Sequence, residues 1–187
     1  MNPVAKSRTY RMILCALFAA LIAVGAFLRV PIPYVPFTLQ TFFVALAGLL
    51  LGKKLGAVSA LVYMAIGLIG IPVFTEGGGI AYVLKPTFGY IVGFVLGAYV
   101  TGAIARKVET PSLGRLIGAV FAGFGVTYLL GMTYFYFMSN FYLGKAIGVG
   151  TVLLYCFLVF VPGNGVMGVI AALVAKRMIP VLNKNQL

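Results

Sequence analysis

The chain has 187 residues, of which 63% are hydrophobic and only 9% are charged, and this balance excludes a water-soluble domain. A net charge of +12 would favour nucleic acid as the partner of a soluble protein, but here the basic residues are spread between apolar segments. We therefore predict one all-α integral membrane domain over residues 1–187, in contact with the lipid bilayer and not with nucleic acid.

Apolar segments bounded by charges, prolines and glycines predict six transmembrane helices. The first follows basic residues as a signal peptide would, but no cleavage site with polar sequence follows it, so we interpret it as a membrane helix. The second and third spans are shorter than the roughly twenty residues that cross a bilayer, which indicates a thinned edge or a protein-lined recess. The predicted spans are 12–29, 37–52, 55–71, 87–105, 113–138 and 163–179.

The last apolar tract, residues 146–179, is too long for one crossing, because it would reach roughly 50 Å as a single helix. The sequence VPGNG at 161–165 predicts a break, since Pro162 lacks an amide hydrogen and the glycines tolerate unusual backbone angles. Residues 146–160 would then form a short interfacial or re-entrant segment before helix six. Irregular backbone at membrane depth is tolerated only where it is buried in protein or lines a cavity. Asn164, which lies in this break, is therefore expected beside a candidate site.

The distribution of lysine and arginine predicts the orientation in the membrane. With both termini cytoplasmic, only Arg29, Lys85 and Lys145 of the 14 basic residues fall outside. The loop FTEGGGIAYVLKPTFGY, residues 74–90, therefore faces the outside.

Two spans carry small residues at helical spacing. In the fourth span Gly89, Gly93, Gly97, Thr101 and Ala105 recur every four residues, and we favour ordinary helix packing over a special role for them. The first span has the same spacing at Ala16 and Ala20, and again at Ala19 and Ala23.

The two outer loops collect most of the unusual chemistry. Prolines stiffen the first loop, and three consecutive glycines in the second would let backbone amides approach a ligand. We predict a pocket for an amphipathic anion with the second loop as its lid, although turns and solvated charges are the ordinary alternative. Glu76 would pair with Arg29 or Lys85 rather than contact ligand. The candidate binding residues in these loops are Arg29, Tyr34, Gln40, Thr75, Gly77, Gly78, Gly79, Tyr82, Lys85 and Tyr90.

Several activities lack their residues in this chain. It has no histidine, no ATP-binding motif and no acidic residue within a predicted span, so we expect neither catalysis nor proton or sodium coupling. Cys15 and Cys156 lie in apolar segments without metal spacing and are expected to be buried thiols. We expect no metal and no cofactor.

Four motifs in order, VPIPYVPFTLQT (30–41), GLIGIPVF (67–74), the glycines at 77–79 and KPTFGYIVGF (85–94), resemble the BioY family. This family comprises the biotin-specific S components of energy-coupling factor (ECF) transporters. The resemblance implies a substrate-binding subunit that captures biotin outside the plasma membrane of a prokaryote. It also implies two kinds of partner, a transmembrane coupling subunit and two cytoplasmic ATPases. The first-helix alanines Ala16, Ala20 and Ala23 would contact the coupling subunit.

The chain departs from the family at one pair of positions. Members commonly carry an aspartate and a lysine three residues apart near the start of the last helix, where this chain has Asn164 and Met167. Asn164 can still donate and accept hydrogen bonds, as a ureido ring requires, whereas Met167 offers apolar contact. The ligand carboxylate would then be bound by Lys85, by Arg29 or by the backbone amides of Gly77–Gly79. A different vitamin, thiamin or riboflavin, and a structural membrane protein are the alternatives.

Overall fold

The computed structural model describes residues 3–184, and nearly all of its regular structure is helical, which confirms the all-α class. The α-helices of these residues are α1 (Pro3–Phe27), α2 (Gln40–Leu68), α3 (Phe88–Ala105), α4 (Leu113–Phe137), α5 (Val149–Cys156) and α6 (Val161–Lys184). The shorter elements are the antiparallel strands β1 (Arg29–Val30) and β2 (Phe37–Thr38), the 3-10 helices Ile80–Leu84 and Leu158–Phe160, and the π-helix Met138–Tyr142.

Helix α2 folds back on itself at Gly52, whose backbone angles of φ 80° and ψ −178° are not helical. Gln40 Nε2 lies 2.7 Å from the Tyr63 hydroxyl, although these residues would be about 35 Å apart in a straight helix. Gly56 also packs against Gly48, so closely that a Cβ at Gly56 would lie 2.9 Å from the Gly48 Cα. The helix is thus a hairpin of two short arms, and the turn falls at the predicted boundary between the second and third spans.

The small residues of α3 form its contact with α4. A Cβ at Gly97 would lie 2.9 Å from the Gly123 carbonyl oxygen, and one at Gly93 would lie 2.8 Å from that of Thr127. The Thr127 hydroxyl is within hydrogen-bonding distance of two carbonyl oxygens, 3.1 Å from Gly93 and 3.0 Å from Gly123. The stripe therefore has the packing role that the spacing indicates, because glycine alone lets the two backbones come this close.

The last tract leaves helical geometry earlier than the VPGNG sequence suggests. Helix α5 ends at Cys156, and Phe157 has φ −139° and ψ −66°. Pro162 instead lies in the first turn of α6, where a missing amide hydrogen leaves no bond unmade. The break thus precedes the proline, and α6 begins at Val161 rather than at Gly163.

The surface of the bundle suits an apolar surrounding. Among the described residues, five helical segments are long and apolar enough to cross a membrane. Large apolar side chains on α4 and α6 face outward, including Leu129 at 64% exposure and Val166 at 62%. The five segments are Arg8–Phe27, Gln40–Leu68, Phe88–Ala105, Leu113–Tyr142 and Val149–Leu182.

The two ends of the bundle differ in charge. At one end the α2 turn meets the end of α3, where a Cβ at Gly102 would lie 2.4 Å from the Lys53 amide nitrogen. Lys176 Nζ, on α6, donates to the Pro111 carbonyl at this end over 2.7 Å. The opposite end carries the loops with the predicted site. The basic end contains Lys53, Lys54, Arg106, Lys107, Arg115, Lys176 and Arg177.

Candidate functional site

A polar cavity, here called the inner cavity, lies between the helices at the less basic end. The first outer loop, α2, α3, α4 and α6 all contribute to its wall, and none of the described residues that line it is charged. Its volume of about 50 Å³ has room for a few water molecules, so a larger ligand requires side chains to move. The polar residues in the wall are Thr38, Gln40, Thr41, Tyr63, Thr75, Tyr82, Thr87, Tyr90, Tyr128 and Asn164.

Asn164 is buried at the start of α6 and is held at both ends of its amide. The Thr41 hydroxyl donates to Asn164 Oδ1 over 2.8 Å, and Asn164 Nδ2 donates to the Tyr128 hydroxyl. A primary amide has two donors and two acceptor positions, so one of each stays available. Asn164 can therefore form two hydrogen bonds with a ligand group that has both a donor and an acceptor.

A second set of hydrogen bonds joins the two arms of α2. Gln40 Nε2 donates to the Tyr63 hydroxyl over 2.7 Å, and that hydroxyl donates to the Val73 carbonyl over 3.2 Å. The Thr38 hydroxyl lies 3.3 Å from Gln40 Oε1. This chain of bonds fixes Gln40 in the cavity wall and ties the hairpin to the second outer loop.

The second outer loop and α3 complete the wall with hydroxyl groups. The hydroxyls of Thr75 and Tyr82 lie 3.0 Å apart, and Tyr90 donates to the Cys156 carbonyl over 2.9 Å. The buried Thr87 hydroxyl has no hydrogen-bond partner among the described residues. An unpartnered buried hydroxyl is costly, so Thr87 is a candidate contact for a ligand.

A second cavity, here called the outer cavity, lies beside the first between residues 76–87 and 135–147. It contains the two lysines predicted to lie outside, Lys85 and Lys145. Lys85 forms an ion pair of 2.8 Å with Glu76 and lies 5.0 Å from the centre of the Tyr82 ring. The outer cavity is lined by Tyr34, Glu76, Leu84, Lys85, Pro86, Thr87, Phe135, Ser139, Leu143, Lys145, Ala146 and Ile147.

Five of the predicted binding residues line neither cavity: Arg29, Gly77, Gly78, Gly79 and Met167. The Gly77 amide donates to Phe74 and the Gly79 amide to Gly67, so both are engaged within the loop. Their φ values of 111° and 99° are the reason for glycine at these positions. The Arg29 guanidinium donates to the Thr75 carbonyl. These contacts shape the loop over the inner cavity, and a direct ligand role for the five residues stays a prediction.

Three polar residues in the helices around the inner cavity were not among the candidates: Thr41, Tyr63 and Tyr128. Each lies inside an apolar helical segment, where a single threonine or tyrosine is common and does not by itself indicate a binding site. A polar side chain within a predicted membrane span is the one signal that could have indicated them.

The predicted partner surface lies on the face of α1 that points away from the core of the bundle. Ala16 and Ala20 are exposed and Ala23 is half-buried, whereas Ala19 belongs to the core. Large apolar residues beside them are also exposed, such as Leu17 at 49%. The face is therefore accessible to another helix or to lipid.

The fold and cavities define a class of protein, a helical membrane protein whose loops close over a polar cavity between the helices. The chain belongs to the BioY family, whose sequence model matches residues 1–184.

Curated relatives and one solved structure agree with this assignment. A probable biotin transporter BioY from Lysinibacillus sphaericus is 45% identical over 91% of this chain and 87% of its own length. The biotin transporter BioY of Thermotoga maritima is 41% identical over 90% of this chain and 95% of its own. The crystal structure of the S-component for biotin from an ECF-type ABC transporter superposes with a TM-score of 0.82. That structure is 28% identical and is matched over 95% of this chain and 94% of its own.

Proposed function

We propose that this chain is the biotin-binding S subunit of an ECF-type importer. The observation that carries the proposal is membership of the BioY family, whose curated members are named as biotin transporters. The inner cavity supports it, because its uncharged donors and acceptors suit a neutral polar ring such as a cyclic urea. Asn164 and Gln40 would hold that ring, and the tyrosine rings would pack on its apolar faces.

In the membrane the chain would cross six times, with each arm of α2 counted as one crossing. Both termini would be cytoplasmic, because the basic end of the bundle then faces the cytoplasm. The cavities would open toward the outside of the plasma membrane of a prokaryote. The arms of α2 are short for a bilayer, and the protein around the cavity would shield their outer ends from lipid.

Import would depend on partner subunits, because the sequence has no ATP-binding motif. A transmembrane coupling subunit would pack on the exposed face of α1 at Ala16, Ala20 and Ala23, where small residues allow close contact. Two cytoplasmic ATPases would supply the energy. Biotin is cargo in this scheme, and no cofactor is needed.

One observation favours a second vitamin as ligand. Asn164 and Met167 stand where the resemblance implies an opposite charge pair, and Asn164 lies in the wall of the inner cavity whereas Met167 lines neither cavity. Thiamin or riboflavin would be the alternative ligand. The cavity itself argues against a purely structural role.

Equilibrium binding to the purified chain separates these functions. Labelled biotin should bind, and an excess of unlabelled biotin, but not of thiamin or riboflavin, should displace it. Displacement by another vitamin would favour the second ligand. Absence of any vitamin binding would favour a structural role.

A further inference from the structure

We propose that the outer cavity is the carboxylate site of the ligand and that Lys145 is its anchor. The inference rests on the proposed function, since biotin combines a neutral bicyclic ring with a short carboxylate chain. It adds Lys145, which was not a candidate from the sequence, to the binding residues, and it gives the ion pair of Glu76 with Lys85 a role in ligand binding.

The charges of the two cavities differ in a way that orients such a ligand. No described residue in the wall of the inner cavity could neutralise a carboxylate, and a buried unpaired charge is strongly unfavourable. The outer cavity contains Lys85 and Lys145, and Glu76 is the only acidic residue among the described residues that line it. The neutral ring therefore belongs in the inner cavity and the carboxylate in the outer one.

The two cavities are neighbours, so one ligand can occupy both. Thr87 lines both of them, and its buried hydroxyl has no partner among the described residues. The wall of the outer cavity also contains two aromatic rings, those of Tyr34 and Phe135, whose centres are 6.2 Å apart. A short aliphatic chain would pass Thr87 and lie against these rings.

Lys145 is the lysine best placed to receive the carboxylate. Its ammonium has no hydrogen bond or ion pair with the residues that the structure describes, whereas Lys85 is paired with Glu76 at 2.8 Å. The Lys145 amide donates to the Ser139 carbonyl over 2.9 Å, which fixes the backbone. Asn140 holds the same loop through Ile147, accepting from its amide over 3.0 Å and donating to its carbonyl over 3.2 Å. The loop therefore presents Lys145 from a supported backbone.

Glu76 then acts as a competing anion. It occupies Lys85 while the ligand is absent and contributes negative charge to the wall that receives the carboxylate. Removing this charge should favour an anionic ligand and leave a neutral one unaffected.

The test compares biotin with biotin amide, in which the carboxylate is replaced by a neutral carboxamide. For Lys145→Gln we expect biotin affinity to fall about three- to tenfold, a modest loss because the pair is partly solvated, with amide affinity unchanged. Lys145→Arg should keep most of the biotin affinity. Glu76→Gln should strengthen biotin binding about twofold or more without changing amide binding. Lys54→Gln, an exposed charge removal at the opposite end, is the matched control and should change neither.

Three outcomes would overturn the inference. Unchanged biotin binding in Lys145→Gln would show that the anchor is elsewhere. An equal loss for biotin and its amide would show that Lys145 supports the fold of the loop rather than the carboxylate. Failure of the wild-type chain to bind either compound would overturn the proposed function together with this inference, and so differs from the first two results.

Discussion

At the scale of single residues, the hydrogen bonds of Asn164 decide what it can offer a ligand. Thr41 and Tyr128 each occupy one position of the amide, which leaves one donor and one acceptor. A cyclic urea presents a carbonyl oxygen beside an N–H, which is the complement of that remaining pair. The aspartate that the family resemblance implies at this position would, when ionised, offer only acceptors, whereas Asn164 offers a donor and an acceptor without a buried charge.

Replacing Thr41 with valine tests this role of the amide. The change keeps the shape of the side chain but removes the hydroxyl that fixes Asn164 Oδ1. We expect biotin affinity to fall about three- to tenfold, which corresponds to one hydrogen bond. Titration of the purified variants measures the change. Thr9→Val, an exposed threonine on α1, is the control, and equal affinities of the two variants would contradict the account.

The sequence predicted some of the residues that line the inner cavity. Gln40, Thr75, Tyr82, Tyr90 and Asn164 lie in the wall of the inner cavity, because residues beside prolines and glycines at helix starts meet at one end of the bundle. Tyr63 and Tyr128 could not be predicted in the same way. They come together with these residues only after the hairpin of α2 and the packing of α4 have formed.

At the scale of helices, close backbone contact organises both pairs that surround the cavity. Gly48 and Gly56 bring the arms of α2 together, and Gly97 and Gly123 do the same for α3 and α4. These contacts bring Tyr63 and Tyr128 to the inner cavity. A change that separates the helices should therefore damage stability and binding together.

Gly97→Ala tests the contact between α3 and α4. The added methyl group would lie 2.3 Å from Thr127 Oγ1 and 2.9 Å from the Gly123 carbonyl oxygen. We expect a loss of about 1–3 kcal/mol in the free energy of unfolding, because overpacking forces the helices apart. Thermal unfolding in detergent measures it. Gly125→Ala is the control, since its methyl group would meet no atom within 4 Å. Equal melting temperatures of the two variants would refute this packing role.

The positions of the helices were largely predictable from the sequence. The turn in α2 was predicted correctly, whereas the position of the break before α6 was not. The turn of α2 coincides with the charged boundary Lys53–Lys54, because lysines avoid the apolar interior. The break before α6 occurs at Phe157, not at the proline and glycines that follow. Proline marks a helix start as readily as a helix end, and only packing around the cavity decides which.

At the scale of the whole molecule, we expect the exposed face of α1 to be needed for transport but not for ligand binding. Ala20→Trp places a large ring on this face, which would keep the coupling subunit away. We expect biotin uptake by cells that express all the subunits to fall about tenfold or more, while biotin binding to the purified variant is unchanged. Leu129→Trp, on an exposed position of α4, is the control and should preserve uptake. Equal uptake by both variants would place the coupling subunit elsewhere.

Calorimetric titration of the purified chain with biotin, in the absence of any other subunit, measures whether the chain alone binds this vitamin. We expect saturation at one biotin per chain, because the proposed site has a single inner cavity that would open to take one ring, and no saturable signal with thiamin or riboflavin. Absence of saturable biotin binding, or tighter binding of either other vitamin, would contradict this expectation.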